Sequence, residues 1–216
     1  MKTTLTISSK NYSSWSLRGW LLARLSGIEF DVERVPPADT AARAELLLLS
    51  PSILVPCLTH GGMHIWDTLA IGEYLNEIAP AAGLLPSDRT ARARCRSICG
   101  EMHSGFSALR AALPMNLKAH FLRFRVGSRA QADIDRITSL WRECLASYGG
   151  PYLFGRLSMA DAMYAPVVTR LRTYCVGLDP ACAAYVGAIM DWRDMAQWAA
   201  DAQAERLEIG ELEVEF

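Results

Sequence analysis

Apolar positions in the first third of the chain switch between two spacings. Residues 3–8 alternate and are rich in β-branched side chains, which predicts a strand. Residues 10–14 are polar and read as a loop. Leu17, Trp20, Leu21 and Leu25 then recur at helical spacing, predicting a helix over 16–25 with Gly27 as its stop. Residues 30–35 read as a second strand, closed by Pro36-Pro37. A short helix is expected over 41–49, ended by Ser50-Pro51. Residues 53–58 and 63–66 form a strand pair around Gly61-Gly62, and a helix follows over 67–78. The first 80 residues therefore read β-α-β-α-β-β-α.

Past a Pro-, Ala- and Gly-rich linker over 80–88 the strand signals stop. Helices are expected over 89–113, broken at Pro114, and over 129–148, 162–174 and 181–204. Ser158 followed three residues later by Asp161 nearly matches a capping box, with Leu157 and Ala162 as a staple. Residues 205–216 carry five glutamates and are expected to form a solvated arm. A mixed half followed by an all-helical half predicts an α+β fold in two domains, 1–80 and 89–216.

Composition narrows the function classes. The 216 residues carry a net charge of -1, so no global field favours nucleic acid or an acidic membrane. The first residues lack the apolar core and cleavage site of a signal peptide, and no apolar run reaches membrane-spanning length. Six cysteines lie scattered without a CxxC pair, which favours free, mostly buried thiols in a reducing cytoplasm. Cys95 and Cys99, four apart on a helix, read as packing rather than as soft-metal ligands. His60 and His64 are separated by a turn, which argues against a metal pair, and no metal is expected. Arg89, Arg92, Arg94 and Arg96 read as a solvated face or a dimer rim.

Three short segments carry candidate chemistry. Proline in Val55-Pro56 has no N–H and cannot sit inside a ladder. With a cis bond there, the chain turns and offers the Val55 backbone to an extended ligand; the alternative is an edge-strand proline without a role. Asp67-Thr68 opens a helix. Either residue serves as a cap, or the free N–H groups hold a ligand carboxylate while Asp67 takes an ammonium and Thr68 adds a hydroxyl. The third segment, Asn11-Tyr12-Ser13-Ser14-Trp15-Ser16-Leu17-Arg18, lies between the first strand and first helix, where open α/β sheets bind ligands. A serine there is an ordinary cap, or it donates to a thiolate that the helix dipole also favours.

Taken in order and spacing, these pieces resemble the glutathione transferase family over about residues 3–204. The Asn11–Arg18 loop is closest to serine-type bacterial members, with a looser likeness to the zeta class. The resemblance implies a thioredoxin-like domain, then a helical domain, and glutathione as co-substrate. It implies Ser13 as the catalytic hydroxyl, with Ser14 as its competitor, Val55 on the cysteinyl backbone, and Asp67 and Thr68 on the γ-glutamyl end. Leu54 stands where relatives place a Lys or Gln. Trp15, His103 and Arg110 would face a small electrophilic second substrate; Met102, His103, Phe106 and Arg110 share one helical face, with Phe106 read as core. The implied activity is conjugation of the glutathione thiolate to an electrophile in a cytoplasmic homodimer. Glutathione-dependent cis–trans isomerisation and a non-catalytic interaction module are the alternatives.

Overall fold

The computed structural model describes residues 2–35 and 55–206. The helix expected over 41–49 and the position of Leu54 lie outside the described residues. The architecture is α+β. Strand β1 (Thr3–Ile7) leads to α1 (Ser14–Ser26) and β2 (Asp31–Arg34); β3 (Cys57–His60) and β4 (Met63–Trp66) follow, then α2 (Thr68–Ile78). The sheet order is β2-β1-β3-β4, with β1 parallel to β2 and antiparallel to β3. Leu5 pairs Leu58 across the centre, and both side chains are buried, so the register puts the apolar face on α1.

Six helices follow: α3 (Arg89–Ser104), α4 (Ser107–Ala112), α5 (Ser128–Tyr148), α6 (Met159–Thr173), α7 (Pro180–Asp191) and α8 (Arg193–Ala204). Two expected helices are each split. The run over 89–113 breaks at Gly105, before Pro114, because Phe106 sits in the left-handed region at φ 58°. A Cβ at Gly105 would lie 2.7 Å from the Glu101 carbonyl oxygen, so only glycine fits the break. The run over 181–204 breaks at Trp192, whose indole N–H donates to Asp194 at 3.2 Å. Helix α1 starts at Ser14, two residues before the expected boundary, since Ser13 is its cap. Strand β3 starts only at Cys57, after the proline that cannot donate to the ladder.

The arm expected to be solvated begins docked. The Glu205 carboxylate accepts from Ser9 Oγ and from the Lys10 N–H at 2.8 Å, and its side chain is 5% exposed. The residues after 206 lie outside the described residues.

Met159 packs the two halves together, and Asp161 ties the helical half to itself. Met159, at the start of α6, lies over Gly72 of α2, where a Cβ would meet its methyl at 2.8 Å. Asp161 is fully buried and gathers the Leu153 N–H at 3.1 Å, the Ser158 N–H and hydroxyl at 2.9 Å each, and the Tyr185 hydroxyl at 3.2 Å. The capping box expected at Ser158 and Asp161 is present. Burial pushes the Asp161 carboxyl up to about 6, and the hydrogen bonds from Leu153, Ser158 and Tyr185 oppose that rise.

Two predictions follow from this packing. In α1, a Cβ on Gly19 would lie 2.5 Å from the Pro56 ring, whereas Gly100 in α3 faces open space. Gly19→Ala is expected to cost about 1–3 kcal/mol in urea unfolding through overpacking, whereas Gly100→Ala is expected to gain about 0.5–1 kcal/mol through helix propensity. The second concerns Asp161, whose folded pKa is raised, so the folded chain holds its proton more tightly than the unfolded chain. Its stabilising contribution is present below about pH 4 and is lost as pH rises toward about 6. The stability difference between wild type and Asp161→Asn should shrink over that window; a difference independent of pH contradicts it.

Candidate functional site

The loop before α1 is held from behind. Asn11 is fully buried, donating to Asn116 Oδ1 at 3.0 Å and accepting from the Lys118 N–H at 3.1 Å. Lys10 pairs with Asp201 and lies 5.6 and 5.2 Å from the Trp20 and Trp198 ring centres. The Trp198 indole donates to the Lys10 carbonyl at 2.9 Å. Ser13 then takes an extended conformation and caps α1. Its hydroxyl accepts from the Ser16 N–H at 3.2 Å and donates to Ser16 Oγ at 2.8 Å. Ser16 Oγ also accepts from the Ser8 N–H at 3.0 Å. Ser14, the first helical residue, is half-buried, and its hydroxyl has no hydrogen-bond partner among the described residues.

The Val55–Pro56 peptide is cis. Pro56 rests on α1 at Gly19, which brings Val55 alongside that helix. Asp67 caps α2 from φ 75°, a backbone region that side-chain-bearing residues rarely adopt. Its Oδ1 accepts from the Leu69 N–H at 2.7 Å and the Ala70 N–H at 3.3 Å. Those two N–H groups are therefore taken by the protein's own carboxylate, and the cap alternative of the sequence reading holds for them. Thr68 differs: its hydroxyl oxygen is buried and has no partner among the described residues. A buried, unsatisfied hydroxyl is costly, which makes Thr68 a candidate for a ligand contact.

Trp15 meets side chains of both halves. The His103 ring lies 5.2 Å from it, the Arg18 guanidinium 4.6 Å and the Arg110 guanidinium 5.0 Å. His103 Nε2 lies 2.9 Å from Asp67 Oδ2, so it reaches the α2 start as well as Trp15. Arg110 donates to the carbonyls of Met102 and of His103, the latter at 2.9 Å. Met102 and Phe106 are buried in the core, as expected for Phe106. The structure thus gathers Trp15, His103, Arg110 and Asp67 in one chain of contacts.

Sequence reasoning passed over three contributors. Ser16 anchors the Ser13 hydroxyl; its position three residues after a cap was the available signal. Asn11 ties the loop to the helical half. Arg18 is fully buried, donating to the Met163 carbonyl at 2.8 Å and to the Ser14 carbonyl at 3.4 Å. Burial, then Arg170 and Arg110 nearby, hold its pKa well below the usual guanidinium value. Arg110 is lowered by burial, against Asp133, and Arg170 is lowered to about 10 by burial and by Arg110. None of these three arginines makes an ion pair among the described residues, and Arg18 Nη2 and Arg110 Nε are buried without partners. The region is electropositive and suits an anion.

The remaining candidates have ordinary structural partners. His60 bonds Tyr74 at 2.7 Å and His64 bonds Thr59 at 3.1 Å. Cys95 and Cys99 are buried, and the contact with Cys95, then burial, push the Cys99 thiol up. Arg96 forks onto Glu73 at 2.8 and 2.9 Å, and Arg94 pairs with Glu143. Among the described residues, no three His, Cys, Asp or Glu side chains gather to hold a metal, and no helix is long and apolar enough to cross a membrane.

Comparison with known proteins matches residues 12–78 to the family model described as Glutathione S-transferase, N-terminal domain, and residues 91–198 to that for the C-terminal domain. A curated relative, maleylacetoacetate isomerase of Rattus norvegicus, is 30% identical over 176 residues, covering 77% of each chain. Among solved structures, a glutathione transferase homologue from Burkholderia with bound glutathione has a TM-score of 0.71 at 23% identity, covering 95% of this chain and all of that one. A bacterial maleyl pyruvate isomerase of the zeta class also has a TM-score of 0.71 at 23% identity, covering 96% of this chain and all of that one. These structural likenesses show the fold.

Replacing Thr68 with Val removes the unpaired hydroxyl at nearly constant volume. Urea unfolding of Thr68→Val is expected to show unchanged stability or a gain of about 1 kcal/mol. A loss above about 1 kcal/mol would mean the hydroxyl has a structural partner.

Proposed function

The chain belongs to the glutathione transferase family, and from that premise we propose that it binds glutathione at the two helix starts and ionises its thiol beside Ser13. Residues 1–80 form the glutathione-binding domain and 89–216 the helical domain with the second-substrate side. The observation that carries the reading is Thr68: a buried hydroxyl without a partner among the described residues, next in sequence to Asp67. The glutathione γ-glutamyl group has a carboxylate for Thr68 and an ammonium for Asp67. Val55 pairs with the cysteinyl backbone as an added strand.

At the start of α1, the Ser13 proton points to Ser16 Oγ at 2.8 Å. Rotation about its Cβ–Oγ bond turns that proton onto a thiolate, while Ser13 Oγ still accepts from the Ser16 N–H. The thiolate attacks an electrophilic carbon, and the displaced group leaves with the bonding pair. The Arg18 and Arg110 guanidinium groups beside Trp15 favour an anionic second substrate. That charge preference, with the rat relative's name, supports the zeta-like alternative: the thiolate adds to a conjugated cis double bond, the bond rotates, and glutathione leaves unconsumed.

The chain acts as a homodimer, as the resemblance implies; exposed Met63 and Trp66 on β4 supply an apolar edge. Six free cysteines, five of them buried, fit a reducing cytoplasm.

Two measurements test the reading. Conjugation of a chloronitrobenzene should fall by about 10²–10³-fold in Ser13→Ala, as when one donor to a developing charge is lost, and by less than about threefold in Ser14→Ala. The reverse order moves the thiol to Ser14, and unchanged activity in both removes serine from the chemistry. Calorimetry should show Thr68→Val, whose fold is intact, binding glutathione about tenfold more weakly; equal affinity would remove Thr68 from the site.

A further inference from the structure

We infer that His103 is a positioning residue that couples the glutathione side of the cleft to the second-substrate side through the Asp67 carboxylate. The inference rests on the reading of Asp67 as the ammonium partner. Asp67 Oδ1 is committed to the start of α2, where it accepts from Leu69 and Ala70. Its Oδ2 is held by His103 Nε2 at 2.9 Å, from the last turn of α3. With both oxygens fixed from different elements, the carboxylate plane cannot swing, and its remaining lone pairs keep one direction for an incoming ammonium.

The histidine is itself constrained from the other side. Its ring rests on Trp15, and its backbone carbonyl accepts from Arg110 at 2.9 Å. Its Nδ1 is buried without a partner among the described residues. A proton there would be a buried donor with no acceptor, so the ring proton belongs on Nε2, facing Asp67. Arg110 also stacks on Trp15 at 5.0 Å. An anionic second substrate that draws the Arg110 guanidinium away therefore releases the His103 carbonyl and loosens the grip on Asp67. Asp67, Trp15 and Arg110 are the groups that His103 faces, and they belong to the two substrate sides.

The test begins with the ligand-free protein. Nitrogen-15 spectra of the His103 imidazole should show the Nε2–H form, changed by Asp67→Asn. In steady-state conjugation, His103→Ala should raise KM for glutathione about tenfold, the size expected for a lost hydrogen bond to a charged group, with kcat within about threefold of wild type. His103→Gln, which keeps a donor at similar reach, should restore most of the affinity. Arg110→Ala should raise KM for glutathione in wild type and have no further effect in His103→Ala. A wild type that binds no glutathione overturns this inference together with the function reading. A wild type that binds it normally, with His103→Ala unchanged in KM or additive with Arg110→Ala, overturns the positioning role alone.

Discussion

The missing Cβ at Gly19 is the constraint on which the cleft depends. It lets Pro56 pack directly on α1, so Val55 lies beside the helix whose start carries Ser13. The neighbouring residue completes the clamp: Arg18 reaches across to the Met163 carbonyl in α6. Two consecutive residues thus pin α1 to the start of the interior strand β3 on one side and to the helical half on the other. The loop ahead of α1 has the same kind of support, from Asn116 and Lys118 and from Trp198 and Asp201. The Ser13 oxygen held this way keeps its place without help from a ligand, and only its proton has to turn from Ser16 Oγ.

Magnitudes indicate that the arrangement is sufficient for thiol activation. Moving a thiol from a pKa of about 8.5 to about 6.5 requires about 2.7 kcal/mol of preferential stabilisation of the thiolate. A hydrogen bond from a serine hydroxyl to a charged sulfur supplies about 1.5–3 kcal/mol. The start of α1 adds about 0.3–1 kcal/mol. The unpaired arginines near Trp15 act in the same direction, and they also bias the neighbouring pocket toward anions. In the proposed function one electrostatic field serves both reactants, and conjugation and isomerisation part only at the fate of the attacked carbon.

Much of this was legible in the chain because it is local. The alternation over 3–8, the Leu17–Leu25 spacing, the Gly-Gly turn and the Ser158–Asp161 cap are set by neighbours a few residues apart, and the structure forms all of them. Boundaries moved where a side chain decided them: Ser13 capped α1 early, and Pro56 delayed β3. The helix breaks at Gly105 and Trp192 were hidden because helical periodicity continues through them, and only backbone geometry separates the halves. The site was read as separate pieces. Asp67 and His103 are 36 positions apart, and nothing in spacing announces that their side chains meet. Arg18 fell within the expected first helix, but its burial was hidden because burial of a charge is a property of packing. Glu205 was read from composition as solvated, yet it docks on Ser9 and Lys10.

The central claim is that the start of α1 turns a bound thiol into a thiolate at neutral pH. Ultraviolet absorbance of the thiolate in the protein–glutathione complex, titrated from about pH 5 to pH 9, measures this directly. The account predicts a bound thiol titrating about two units below the free value of about 8.5, with the shift lost in Ser13→Ala. A bound thiol that titrates as it does in water, or a protein that takes up no glutathione at all, would contradict it.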